Sequence, residues 1–190
     1  MDELNDKFQI RQNGQLSVTV RGYSGPAPRR LTIPAKINDV SVTVIDKRAF
    51  KFAGLFQIQL PPTIECIEEE AFAKNSLEEV ILYPAVSSVS MAAFYKNMIR
   101  HLVIPPGLKR IENFCFFGNQ LEQITLPDSL LYLGMLTFAE NPLKEIIIGS
   151  GLTFDRTVEA IPGFDHVYDY NGKKAGRYVL IDGKWTYSGN

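Results

Sequence analysis

Five phenylalanines stand behind a small residue at one fixed interval: Ala49-Phe50, Ala71-Phe72, Ala93-Phe94, Cys115-Phe116 and Thr137-Phe138, each Phe 22 residues after the one before. A unit that short cannot bury its own apolar face, so a period in the twenties predicts a solenoid whose coils stack on one another. The other positions keep the same register. Leu55, Leu77, Ile99, Leu121 and Leu143 follow each Phe by five residues, then come Ile58, Val80, Leu102, Ile124 and Ile146, and then Leu60, Leu82, Ile104, Leu126 and Ile148. The unit reads LxxIxL, often closed by Pro61, Pro105 or Pro127. A period-two apolar pattern stopped by a proline describes a short strand, because Pro cannot donate to a ladder. One strand per coil, stacked in parallel, is the expectation.

The repeat N-x-LxxIxLP-xx-LxxIxxxAF resembles the BspA-like class of leucine-rich repeat, of the treponemal type, over residues 31 to 155. The opening stretch from Leu31-Thr32-Ile33-Pro34 through Val42-Thr43-Val44-Ile45 to Phe50 is similar to the longer first coil of that family, and Ala160, where a sixth Phe would fall, reads as the end of the array. The resemblance implies a mainly β leucine-rich-repeat solenoid, its right-handed coils carrying a parallel sheet on the concave face. It also implies a non-enzymatic bacterial protein, secreted or at the cell surface, that adheres to or contacts a host or cell-surface protein.

Composition narrows the partners. Twenty basic and twenty-one acidic residues leave a net charge of −1, which gives no field to gather nucleic acid. No run of about 18 apolar residues is present, and the start Met-Asp-Glu-Leu-Asn-Asp-Lys shows no basic segment leading an apolar one. No membrane span is therefore expected, and an export leader is either removed or absent, the latter leaving a cytoplasmic location as the alternative. The array is expected to be monomeric.

Flanking segments are expected to cap the open ends, where unpaired strands would invite other chains. Residues 1–30 contain alternating Phe8, Ile10, Leu16, Val18 and Val20 around Asn13-Gly14, a hairpin signature. Residues 156–190 carry Asn171-Gly172 and Asp182-Gly183 and read as a three-stranded meander; the run Asn-Gly-Lys-Lys-Ala-Gly-Arg-Tyr resembles tails of spirochaete members of the family.

Candidate sites follow from alternation along the strands. The Phe row is core, and Asn75, Asn97, Asn119 and Asn141, three residues after each Phe, suit buried amides that satisfy backbone groups between coils. Glu78, Arg100, Glu122 and Lys144 alternate in sign and are expected to fix register. Gln57, Gln59, Glu79, Ile81, His101, Val103, Gln123, Thr125, Glu145 and Ile147 point outward, with Tyr83 beside them, and form the candidate partner-binding face. Ile81, Val103 and Ile147 are apolar where a solvated strand favours polar residues. A second reading places glycan or cell-envelope binding on Tyr168, Tyr170, Tyr178, Trp185 and Tyr187 of the tail, for which exposure of Trp185 is the discriminating observation. Catalysis finds no support: Glu79 beside His101 lacks a nucleophile and a third metal ligand, and no phosphate-cradling glycine loop exists. No cofactor or metal is implied. Glu68-Glu69-Glu70 does not recur and reads as a solvated turn. Cys115 takes the small-residue position and should be buried, Cys66 less so, both as free thiols because two coils separate them by roughly 9–10 Å.

Overall fold

In the computed structural model, which describes residues 7–155 and 157–189, every coil carries two short strands rather than one. The chain opens with an antiparallel hairpin, β1 (Phe8–Asn13) and β2 (Ser17–Tyr23), followed by β3 (Arg30–Thr32) and a second hairpin, β4 (Lys36–Ile37) and β5 (Val40–Ile45). LxxIxL strands then alternate with two-residue strands: β6 (Gln57–Gln59), β7 (Cys66–Ile67), β8 (Glu79–Ile81), β9 (Ser88–Val89), β10 (His101–Val103), β11 (Arg110–Ile111), β12 (Gln123–Leu126), β13 (Tyr132–Leu133), β14 (Glu145–Ile148) and β15 (Thr153–Phe154). A helix α1 (Asp165–Tyr170) and a hairpin, β16 (Gly176–Ile181) and β17 (Lys184–Gly189), complete it.

From β2 onward the strands stack in parallel into one wall of the core, in the order β1-β2-β5-β7-β9-β11-β13-β15, with β1 antiparallel on β2 and β4 antiparallel on β5. Two residues are too few for alternation to show, and the apolar pairs such as Ile64/Ile67 are both fully buried, which hid these strands in the sequence. The LxxIxL strands form the other wall in three pieces, β3-β6, β8-β10 and β12-β14-β16-β17. Side chains from both walls meet in a single apolar cluster. The hairpins at the two ends therefore cap different walls: β1-β2 joins the short strands, β16-β17 the LxxIxL strands. The extra residues of the first coil make the β4-β5 hairpin, whose Asn38 and Asp39 both take positive φ (51° and 62°), as a two-residue hairpin turn of matching twist requires.

A third ladder runs along the corner that holds the Phe row. The five rings are at most 1% exposed and stack with centroids 5.4 Å apart at every step, their planes within 10° of parallel. Around each ring, alternate N–H groups donate to the next coil: Glu70 to Met91 O (3.0 Å), Phe72 to Ala93 O (2.8 Å) and Lys74 to Tyr95 O (2.7 Å), and likewise in the neighbouring coils. Aiming every second N–H the same way forces the residues two before and two after each Phe into the left-handed region, φ 49–67° from Arg48 to Glu140, although only Gly118 among those ten is glycine. The Asn side chains close the same corner. Asn97, for instance, donates to Phe72 O (3.0 Å) and Phe94 O (3.2 Å) and accepts from Leu77 N–H (3.2 Å), tying two coils together.

At the end of the array this corner ladder has no further coil to donate to. Ala160 and Ile161 donate their N–H groups to Asp165 instead, at 2.6 and 3.0 Å on its two carboxylate oxygens. Burial pushes the Asp165 carboxyl up to about 7, against the two N–H donors, which favour its charge. Its folded value lies above the ordinary 3.8, so the stability this group contributes is full below about pH 4 and declines as pH rises through 7. Urea unfolding at pH 5 and pH 8 should show the wild type losing more stability over that interval than Asp165→Asn. Parallel profiles would mean that Asp165 is ionised throughout.

The tail departs from the expected meander at its first strand. Phe164 and Tyr168 are fully buried at helical spacing, with Val167 packed beside them, so residues 165–170 form α1 and only the last two strands exist as such. Glu68-Glu69-Glu70 is also more than a solvated turn. Lys47 reaches Glu69 at 2.7 Å, Arg48 and Lys51 pair with Glu70, and the Lys51 and Arg48 hydrogen bonds hold the Glu70 carboxyl below its ordinary range. Opposite charges one coil apart made this contact invisible as a repeat. Cys66 and Cys115 are free, the first half-buried and the second buried, where desolvation pushes its thiol up.

Candidate functional site

The LxxIxL wall presents two parallel rows of outward side chains. Registers align Arg30 with Gln57, His101 with Glu79 and Gln123 with Glu145 in the first row, and Thr32 with Gln59, Val103 with Ile81 and Thr125 with Ile147 in the second. Their inward neighbours Ile58, Val80, Ile124 and Ile146 lie in the core, which fixes the face each outward residue must take. Ile81, Val103 and Ile147 are 40%, 38% and 42% exposed. Gln57, Gln59, Glu79, His101, Gln123 and Thr125 are exposed, while Tyr83 and Glu145 are half-buried. No ladder joins β6 to β8 among the described residues, and a recess of about 270 Å³ lined by Gln57, Gln59, Glu79, Ile81 and Tyr83 lies at that junction.

From β8 onward, most charges on this face lie in opposite-sign pairs. Arg100 lies 3.7 Å from Glu78 and Lys144 2.9 Å from Glu122, so the alternating row pairs coil to coil as its signs imply. Glu79 lies 3.7 Å from His101, and Arg177 meets Glu145 at 2.7 Å. That last hydrogen bond holds the Glu145 carboxyl below its ordinary range. Arg177 and Val179 join the face because β16 pairs antiparallel with β14, opposite Ile147 and Glu145. Nothing local in the sequence marks that long-range pairing. Arg30 and Thr32, by contrast, follow from applying the alternation of the later strands to Leu31.

The five tail aromatics are not brought together on a surface. Tyr168 and Tyr178 are fully buried, Trp185 is 9% exposed and Tyr187 half-buried; Tyr168 stacks on Phe164, Tyr178 and Trp185 pack edge-on against it, and Tyr187 packs edge-on against Tyr178, in one cluster. The Tyr168 and Tyr178 hydroxyls are satisfied by Gly149 O and Lys174 O. Only Tyr170, 92% exposed on the far side of α1, offers a ring face to solvent. Trp185 thus falls on the cap side of the discriminating observation. Among the described residues, no group of three or more His, Cys, Asp or Glu side chains could hold a metal ion, and no helix is long and apolar enough to cross a membrane.

Residues 43–157 match six copies of the BspA type leucine rich repeat region. Among solved structures, the pneumococcal vaccine antigen PcpA aligns with a TM-score of 0.57 and 22% identity, over 76% of this chain and 48% of that one. The leucine rich repeat protein of T. pallidum gives 0.45 and 18%, over 78% and 61%, and a leucine rich cell surface protein from Faecalibacterium prausnitzii 0.44 and 20%, over 95% and 59%. The chain thus spans about half to three-fifths of the structures it resembles. No curated protein matches it. With more than half its length in six such repeats, the chain belongs to the BspA-type leucine-rich repeat family.

Proposed function

We propose that this chain is a non-enzymatic protein-interaction and adhesion module, secreted or at a bacterial cell surface, that binds a protein partner through the outward face of its LxxIxL strands. The observation that carries the reading is the exposed apolar pair Ile81 and Val103, held in register on β8 and β10, with Ile147 further along the same row past Thr125, beside charges that mostly lie in opposite-sign pairs. Extended apolar area on a fixed, near-neutral surface favours a partner that buries it. Membership of a repeat family that typically serves protein interaction at surfaces supports the same reading.

Photo-crosslinking from position 103 captures the partner, and titration then compares variants. Tyr83→Ala should weaken binding by about 1 kcal/mol or more, because central aromatics concentrate interface energy. Ile81→Lys should weaken it as well by burying an unpaired charge. Tyr170→Ala is the tail control, since truncating the tail would remove core side chains. Loss of binding in Tyr170→Ala with retention in the two face variants would transfer the site to the tail and restore the glycan or envelope reading.

A further inference from the structure

We propose that the β3 end of this face docks an extended acidic polypeptide segment, its carboxylates on Arg29 and Arg30 and its backbone added to the free edge of β3. The inference deepens the protein-binding reading of the LxxIxL face and rests on it.

Charge points to the partner's chemistry. The carboxylates of Glu78, Glu122 and Glu145 each have an Arg or Lys neighbour on this face, within 3.7 Å or less, and Glu79 has His101, a charge partner only when protonated. Elsewhere too, Arg21, Arg48 and Arg110 each meet a carboxylate. Arg29 and Arg30 meet none among the described residues, so two permanent positive charges stand together without a carboxylate at the β3 end of the face. Both guanidinium groups lie over the Phe56 ring instead, with Cζ atoms 5.9 and 6.0 Å from its centroid, and the three side chains line a recess of about 270 Å³. A guanidinium parked on an aromatic face keeps its N–H fork free and pre-oriented for a carboxylate.

Backbone geometry selects a polypeptide over a free anion. Along its inner side β3 is paired with β6: Gln57 N–H donates to Arg29 O (3.1 Å) and Ile33 N–H to Gln59 O (3.0 Å). In a parallel ladder alternate residues bond to opposite sides, which turns the N–H and C=O of Arg30 and Thr32 outward. No strand covers that edge among the described residues, because the N-terminal hairpin caps the other wall. An edge strand with free donors and acceptors recruits an extended chain, and side chains of the added strand then stand beside Arg30 on the same face.

The probe is the pentapeptide acetyl-Glu-Thr-Glu-Val-Glu-amide, titrated into the full chain and followed by backbone amide NMR. Saturable shifts are expected at Arg30, Leu31 and Thr32. They should weaken at least tenfold with the Gln counterpart of the peptide, with a peptide N-methylated at alternate residues, and with the double variant Arg29→Ser/Arg30→Ser. Ile81→Lys should leave them unchanged. Equal shifts from inorganic sulfate, with N-methylation harmless, would reduce the site to a free-anion site and overturn strand addition. Absence of shifts at β3 overturns the proposal outright. Loss of partner binding in Ile81→Lys would stand in either case, so the failure of this site and of the face reading are separable.

Discussion

Phe94→Ala is expected to destabilise the protein by about 3–5 kcal/mol. The ring is fully buried and stacked on both faces, on Phe72 and Phe116 at 5.4 Å each, so its removal empties the middle of the row. The neighbours cannot close the gap. Phe72 N–H is bound to Ala93 O at 2.8 Å and Phe94 N–H to Cys115 O at 2.9 Å, which holds the coils at their spacing while a cavity remains. Its loss therefore combines transfer and cavity terms, against a total stability of only about 5–15 kcal/mol for a domain. Phe50→Ala, at the end of the row with Phe72 alone stacked on it, should lose less. Chemical denaturation that showed under about 1 kcal/mol for Phe94→Ala would mean the rings do not carry the stack.

The period, the Phe and Asn ladders and the outward face were legible because each recurs at the same offset in every coil, so one correct alignment reads them all. What escaped the sequence lacks recurrence or lacks a residue signature. The left-handed pairs around each Phe are occupied by Arg48, Glu70, Lys96, Leu136 and others with no common chemistry, since the hydrogen bonds they aim are backbone ones. The pairs of Lys47 and Arg48 with Glu69 and Glu70 exist between two coils only. In the tail, Tyr168 and Tyr170 mimic strand alternation, but the deciding spacing is Phe164 to Tyr168, and the end of the array is held by Asp165, a single carboxylate with no counterpart in the repeats. The candidate face was found from its apolar row, while Arg177 reached it only through the pairing of β16 with β14.

Asn97 should also prove sensitive, though less than the rings and for a different reason. Its amide serves three backbone groups at once: Leu77 N–H, Phe72 O and Phe94 O. The residue is 5% exposed, so water has little access to replace it. Asn97→Ala leaves Leu77 N–H unpaired, while Phe72 O keeps the Asn75 amide and Phe94 O the Asn119 amide, so the variant should destabilise by about 1–3 kcal/mol for the orphaned donor. Asn97→Asp separates hydrogen bonding from shape. The new carboxylate can still accept from Leu77 N–H but, once ionised, has no proton for either carbonyl and is itself buried. Burial and the two carbonyl oxygens then raise its folded pKa above the unfolded value, so the stability it retains is greatest below about pH 4 and falls as pH rises. Urea unfolding of the Asp variant should show the gap to wild type widening from pH 4 to pH 8, whereas the Ala variant keeps a constant gap. The first coil supplies a natural control: Ala53 stands at the Asn position there, and no preceding Phe carbonyl awaits a donor, because Pro28 lies one period before Phe50. Ala53→Asn should accordingly bring no gain comparable to the loss at Asn97, and a gain of several kcal/mol would show that the amide acts within its own coil rather than between coils.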